Sequence, residues 1–198
     1  MTWIQQNKKY LTLFSLMMLM ALTRSDHFGS AISLPDASLA AFYLAGIFSG
    51  GLVSLVVLLS LVVLLSEAAL LDYIAITQLN VSDYCISPAY VFLIPTYASV
   101  FLAGLWSKKY TSFKASDVSI QFALLLVATL VAFLISNGSF YFLSGKFPDL
   151  SIVEYAGRVA KYYPAYVSST LIYSCSILLA TKAFKLLNKE KANSEVLN

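Results

Sequence analysis

The sequence predicts an all-α polytopic membrane protein, and three observations carry that expectation. Of 198 residues, 59% are apolar and only 12% are charged, against about 45–50% and about 25% in soluble domains. A soluble domain of this length would expose much of that apolar surface, and large apolar patches drive association. The apolar residues also gather into six stretches, which at about 20 residues per bilayer crossing use most of the chain. The remainder is too short for a separate soluble catalytic or nucleic-acid-binding domain, so residues 1–198 read as a single membrane domain. The net charge of +3 comes from scattered lysines, not from the basic stripe of a nucleic-acid binder. The expected surroundings are membrane lipid, with no nucleic-acid partner.

The first span covers about residues 10–23. Lys8-Lys9 ahead of an apolar run imitates a secretory signal, but no small-x-small cleavage site follows, so it reads as an uncleaved helix. The second, about 37–48, is short: it is either a tilted crossing or a half-buried re-entrant piece beside five full spans. Its Ala37, Ala41 and Ala45 form a small-residue row suited to helix packing within the protein or to docking a partner. Gly50-Gly51 reads as a tight turn into the third span, about 52–71. The fourth is about 89–106, the fifth about 118–136 and the sixth about 156–184. Pro88, Pro95 and Pro164 are expected to kink the fourth and sixth spans, which membrane helices tolerate where neighbours satisfy the freed carbonyls.

Orientation follows from the basic residues. If the first span leaves the cytoplasm, Lys8, Lys9, Lys108, Lys109, Lys114, Lys182, Lys185, Lys189 and Lys191 fall inside, nine of the thirteen basic residues. Arg24, Lys146, Arg158 and Lys161 fall outside, among Asp26, Asp36, Asp83, Asp149 and Glu154. The positive-inside rule then places both termini in the cytoplasm. Three longer connections, residues 24–36, 72–88 and 137–155, face outward.

Certain residues need a reason to be where they are. Glu67 and Asp72 close the third span, and a carboxylate toward the membrane centre costs about 2.5–3.5 kcal/mol on insertion scales. Either they face a wet cavity or the bundle interior, or they sit at headgroup level and end the helix. Cys175 lies in the apolar sixth span and reads as packing. Cys85 lies in an outer connection, too far from a deep-span cysteine for a disulfide. It is either a soft-metal ligand or a half-buried thiol without a role. His27 is the only histidine; one His and one Cys cannot build a four-ligand zinc site, though either suffices as one axial ligand to a metal held by a macrocycle. Tyr155, Arg158, Tyr162 and Tyr166 share one helical face, which reads equally as the wall of a pocket for a large amide-bearing ligand or as an interfacial belt. No nucleophile-elbow, zincin, C-x-x-C or P-loop motif occurs, so enzyme chemistry is poorly supported.

Asp72 at the end of the third span, the loop Asp83-Tyr84-Cys85-Ile86-Ser87-Pro88-Ala89-Tyr90 and the segment Ile135-Ser136-Asn137-Gly138-Ser139-Phe140-Tyr141 resemble the BtuM-like proteins. These are cobalamin-specific relatives of the S components of energy-coupling-factor (ECF) transporters, and the likeness covers about residues 10–185. The order Asp72, Cys85, Tyr90 within six short spans carries most of it. The resemblance implies an S-component-like bundle of six helices that takes up cobalamin (vitamin B12) across the bacterial cytoplasmic membrane. It implies Cys85 as the axial ligand to the corrin cobalt in a base-off complex, with Asp72 and Tyr90 lining the pocket. The corrin supplies four equatorial nitrogens, so one thiolate completes the site without a separate cofactor. Tyr84, Asn137, Tyr141, Arg158 and Tyr162 are the remaining pocket candidates, through hydrogen bonds to the corrin amides and ring packing on its edge. Thiolate ligation that loosens an upper cyanide makes Cys85 a candidate for decyanation as well. One feature departs from the S-component pattern: the first span has no Ala-x3-Ala row, so an ECF energising module stays an open partner. Three other readings stand beside this one: an S component or carrier for another vitamin or small solute with Cys85 incidental, a small membrane enzyme or assembly factor using Cys85 as a nucleophile, and a structural subunit of a larger complex.

Overall fold

The computed structural model describes residues 8–24, 35–48, 55–78, 82–110, 112, 114–149 and 151–196, and every regular element among them is helical. We number these α1 (Lys8–Arg24), α2 (Ser38–Phe48), α3 (Leu55–Gln78), α4 (Leu93–Ser107), α5 (Ala115–Leu143) and α6 (Ile152–Val196). Two short 3-10 turns, Asp83–Cys85 and Pro88–Phe92, lead into α4. Lipid offers the backbone no hydrogen-bond partners, so a spanning segment must bond internally as a helix or in a closed barrel, and continuous apolar runs without barrel-type alternation take the helix. Four segments are long and apolar enough to cross a bilayer: Leu61–Gln78, Pro88–Ser107, Ala115–Leu143 and Ile152–Phe184. This is an α-helical membrane protein. α1 and α2 are shorter, with 17 and 11 residues; at 1.5 Å per residue α2 reaches about 16 Å, half of a bilayer core of about 30 Å.

α2 is the centre of the packing. Every residue from Ser38 to Ile47 is buried, as expected for a helix that is apolar on all sides. It touches α4 backbone to backbone. A Cβ at Gly46 would collide with the Phe101 carbonyl, and one at Gly104 with the Tyr43 carbonyl; glycine is what lets the two axes approach. Phe42 and Tyr97 stack across the same contact, ring centroids 4.4 Å apart and nearly parallel. The outward faces are apolar instead of charged. Tyr10, Phe14, Met18 and Leu22 run down α1 at four-residue spacing, all exposed, while Leu16 and Met20 on the opposite face are buried. That stripe suits lipid.

Hydrogen bonds sort the helix ends into two poles. At one, Arg24 at the end of α1 bonds Ser38 at the start of α2, Asp72 in the last turns of α3 and Tyr97 in the second turn of α4. At the other, Gln121 near the start of α5 donates to the carbonyl of Ser107 at the end of α4, and Lys182 of α6 donates to the Ser112 carbonyl.

Several boundaries differ from those expected. α3 runs to Gln78 rather than residue 71, so Asp72 sits inside a helix. A paired carboxylate need not end one. α5 runs on through Asn137-Gly138 to Leu143, which puts Asn137 and Tyr141 on a helix and not in an outer connection. Gly138 does not break it; a Cβ there would stand 3.3 Å from the Tyr155 hydroxyl, so this glycine admits a neighbour's side chain. α6 begins at Ile152 and extends past residue 184 to Val196. Pro88 opens a 3-10 turn and Pro95 falls in the first turn of α4, where a missing N–H is tolerated, and α6 continues through Pro164. The alanine row Ala37, Ala41, Ala45 is fully enclosed, so it packs within the protein and presents no face to a partner. His27 and the turn at Gly50-Gly51 lie outside the described residues.

Candidate functional site

The polar side chains at the Arg24 pole converge on Asp72. Arg24 closes α1 with its guanidinium buried, and donates from Nε and Nη2 to the two Asp72 oxygens, each at 2.6 Å. Tyr90, on the 3-10 turn before α4, donates its hydroxyl to Asp72 Oδ2 at 2.5 Å. The other guanidinium nitrogen, Nη1, donates to Ser38 Oγ at 2.9 Å and to the Tyr97 hydroxyl at 2.6 Å, with Asp36 Oδ2 at 3.8 Å. Ser38 in turn donates to Asp36 Oδ1 through both its backbone N–H and its hydroxyl. This fork of parallel charge-assisted bonds is the strongest pairing available to a carboxylate. It ties α1, α2, α3 and α4 at one point.

Beside this knot lies a cavity of about 210 Å³, walled by Ala89, Tyr90, Leu93, Ser136, Asn137 and Phe140. Three polar atoms toward this pole are buried without a hydrogen-bond partner among the described residues: Asn137 Oδ1, in the cavity wall, Ser87 Oγ, three residues before Tyr90, and Glu67 Oε2, on α3 within electrostatic reach of Arg24. A buried orphan acceptor costs about 1–3 kcal/mol. The Asn137 carbonyl oxygen is therefore poised for an N–H or O–H donor brought by a ligand or by water. Tyr90 spends its proton on Asp72 and keeps lone pairs to accept with. The wall combines the Asn137 side-chain amide and the Ser136 side chain with the Tyr90 and Phe140 rings and the aliphatic Ala89 and Leu93, which suits an amide-bearing group on an apolar frame.

The turn that carries Cys85 adjoins this cavity. Ser82 caps it by accepting from the Tyr84 N–H at 3.2 Å, and the Ile86 N–H closes it onto the Asp83 carbonyl at 2.8 Å. The Tyr84 ring lies edge-on to Phe140, a cavity wall, at 5.8 Å, and the Lys146 ammonium sits 3.8 Å above it. The Cys85 side chain itself lies outside the described part of the structure. Among the described residues no three His, Cys, Asp or Glu side chains group as metal ligands would.

The remaining expected residues divide. Arg158 donates to the Tyr141 hydroxyl at 3.0 Å and lies over the Phe147 ring at 4.9 Å. Tyr155 packs on Tyr141, and Tyr166 on Phe133, at 5.7 and 5.1 Å. The face shared by Tyr155, Arg158 and Tyr166 thus packs along α5. Tyr162 does not join it; it is 43% exposed, beside Lys161. Tyr90 and Asn137 share the cavity, with Asp72 bonded to Tyr90. Tyr141 and Arg158 form an aromatic cluster one helical turn further along α5.

Sequence reading missed Arg24 as the partner of Asp72, and Ser38 and Tyr97 as the groups that hold the same guanidinium. A signal was present for the arginine: the first and third spans run in the same direction, so a lone arginine ending one and an aspartate near the end of the other share a membrane face. Opposite charges at that level are expected to pair. Ser87 and the orphaned Asn137 oxygen had no such signal, since which polar atom is left without a partner depends on packing. The sequence matches no known protein-family model and no curated protein.

Proposed function

We propose that this chain binds cobalamin at its Arg24 pole and mediates its uptake across the bacterial cytoplasmic membrane, as a six-span relative of the BtuM-like S components with both termini in the cytoplasm. The observation that carries the reading is the cavity beside the Cys85 turn, walled by Tyr90 and Asn137 and holding an unpartnered buried acceptor. About 210 Å³ is below the roughly 300–1,000 Å³ of pockets that swallow whole ligands. In this reading the cavity takes one amide arm of the corrin, the ring lies over the pole, and Cys85 supplies the axial thiolate to cobalt. Soft thiolate suits that centre, and the same ligation loosens an upper cyanide. The energising module, if one is used, docks elsewhere than on the enclosed alanine row.

The test is the visible spectrum of the detergent-purified protein after incubation with cobalamin, for wild type and Cys85→Ala. A base-off spectrum that disappears in the variant supports thiolate ligation. The same bound corrinoid in both keeps the carrier and removes Cys85 from it. Absence of corrinoid in both favours a second reading, a carrier of a smaller amide-bearing solute, which the modest cavity volume fits. For decyanation, equal cyanide release by wild type and Cys85→Ser overturns the assignment.

A further inference from the structure

A larger cleft, about 370 Å³, lies at the opposite pole between α5 and α6, with the Tyr43 ring at its base. Its walls are apolar: Phe122 and Leu125 from α5, Leu178 and Leu179 from α6. Phe122 is 45% and Leu179 67% exposed, so the cleft opens sideways on surface of the kind that faces lipid, where acyl chains are the available occupants. Its polar end is built. The Lys182 ammonium, in the cleft lining, is held by the Ser112 carbonyl at 3.3 Å and Gln121 Oε1 at 3.5 Å. Lys108, Lys109 and Lys114 stand on the connection that contains Ser112. Asp117, the acid in the first turn of α5, is bonded by the Ser112 hydroxyl and N–H.

We propose that this cleft is a binding site for an anionic phospholipid, one acyl chain between α5 and α6 and the phosphate against Lys182. The chemistry is complementary at both ends: apolar wall to hydrocarbon, and a lysine at the rim, backed by a lysine-rich connection, to a negatively charged headgroup. Lysines at a membrane surface attract anionic lipid, with about 1 kcal/mol or roughly fivefold in affinity for each. Such a lipid would brace α6 against α5 at the pole away from the cavity, independently of which solute is bound there.

The experiment is native mass spectrometry of the full chain released from mild detergent and titrated with phosphatidylglycerol or with phosphatidylcholine of the same acyl chains. Wild type is expected to retain the anionic lipid in preference. Lys182→Met should lower that preference about fivefold, and Lys182→Arg should keep it. Ala183→Trp, an exposed position in the cleft wall, should reduce retention of both lipids by filling the space. Equal retention of the two lipids by wild type, an unchanged preference in Lys182→Met, or undiminished binding in Ala183→Trp each overturns the proposal.

Discussion

Arg24 and Asp72 form a buried pair whose worth depends on both being present. Desolvating two charges offsets most of their attraction, yet removing one leaves the other buried without its counter-charge, at about 3–5 kcal/mol. Asp72→Ala, which leaves the buried guanidinium only the more distant Asp36 carboxylate at 3.8 Å, is expected to cost about 3 kcal/mol, the lower end of that range, read as a fall in melting temperature in detergent. Arg24→Met should do the same. The double variant Arg24→Met/Asp72→Leu should lose less than the sum of the two, because the stranded charge is gone; strictly additive losses would show that the pair is not coupled. Asn137 makes the opposite case. Its Oδ1 is buried and unpartnered in the cavity wall, so Asn137→Leu removes an unsatisfied atom and should leave stability unchanged or raise it by about 1 kcal/mol. If the atom awaits a ligand, the same variant weakens cobalamin binding about tenfold, the equivalent of 1.4 kcal/mol. A residue that served only packing would not separate the two effects.

The element that most constrains the bundle is α2. Its 11 residues cover about half of a bilayer core, it is buried from Ser38 to Ile47, and its contact with α4 rests on Gly46 and Gly104. At Gly104 an added Cβ meets the Tyr43 carbonyl, which is backbone and cannot swing aside. Gly104→Val is therefore expected to force the two helices apart at a cost of about 1–3 kcal/mol or more, with loss of the monodisperse peak in size-exclusion chromatography. Gly145, at φ 71° with open space around its Cα, sits instead in the turn after α5, where an alanine costs only backbone strain. The helices themselves were legible in the sequence, because unbroken apolar runs such as residues 55–65 lack the alternation of a barrel strand and satisfy their backbone in lipid as helix. Their ends were not. Asp72 and Asn137-Gly138 look like terminators in one dimension, but pairing with Arg24 and close approach of Tyr155 carry the helices past them. The site was legible in the same proportion. Tyr90 and Asn137 were singled out and share a cavity, whereas Tyr162 was included for its spacing, and a face at 3-4-4 spacing turns out to pack along α5 without it. The arginine that organises Asp72 was read as a loop charge, since helix contacts decide partners and spacing along the chain does not.

At the scale of the whole molecule the charges and the poles must agree on a direction. The Lys182 pole carries Lys108, Lys109, Lys114 and Lys182, while the Arg24 pole carries a carboxylate-bound arginine, the cavity and, on the turn after α5, Lys146 over Tyr84. An excess of lysine and arginine near helix ends marks the cytoplasmic side. The cavity should then face outward, as uptake requires. In a Cys85→Ser/Cys175→Ala background, Lys146→Cys and Lys114→Cys report on opposite poles without touching the Asp72 network. A membrane-impermeant maleimide applied to cells made permeable only in the outer envelope should label Lys146→Cys, and should reach Lys114→Cys only after the cytoplasmic membrane is opened. The reverse pattern would turn the cavity toward the cytoplasm, where a solute must be released and not captured, and the uptake reading would fall with it. Labelling of both positions from outside would break the alternation of α5 itself, whose 29 residues reach about 43 Å at 1.5 Å per residue, enough to separate its two ends by a full bilayer core.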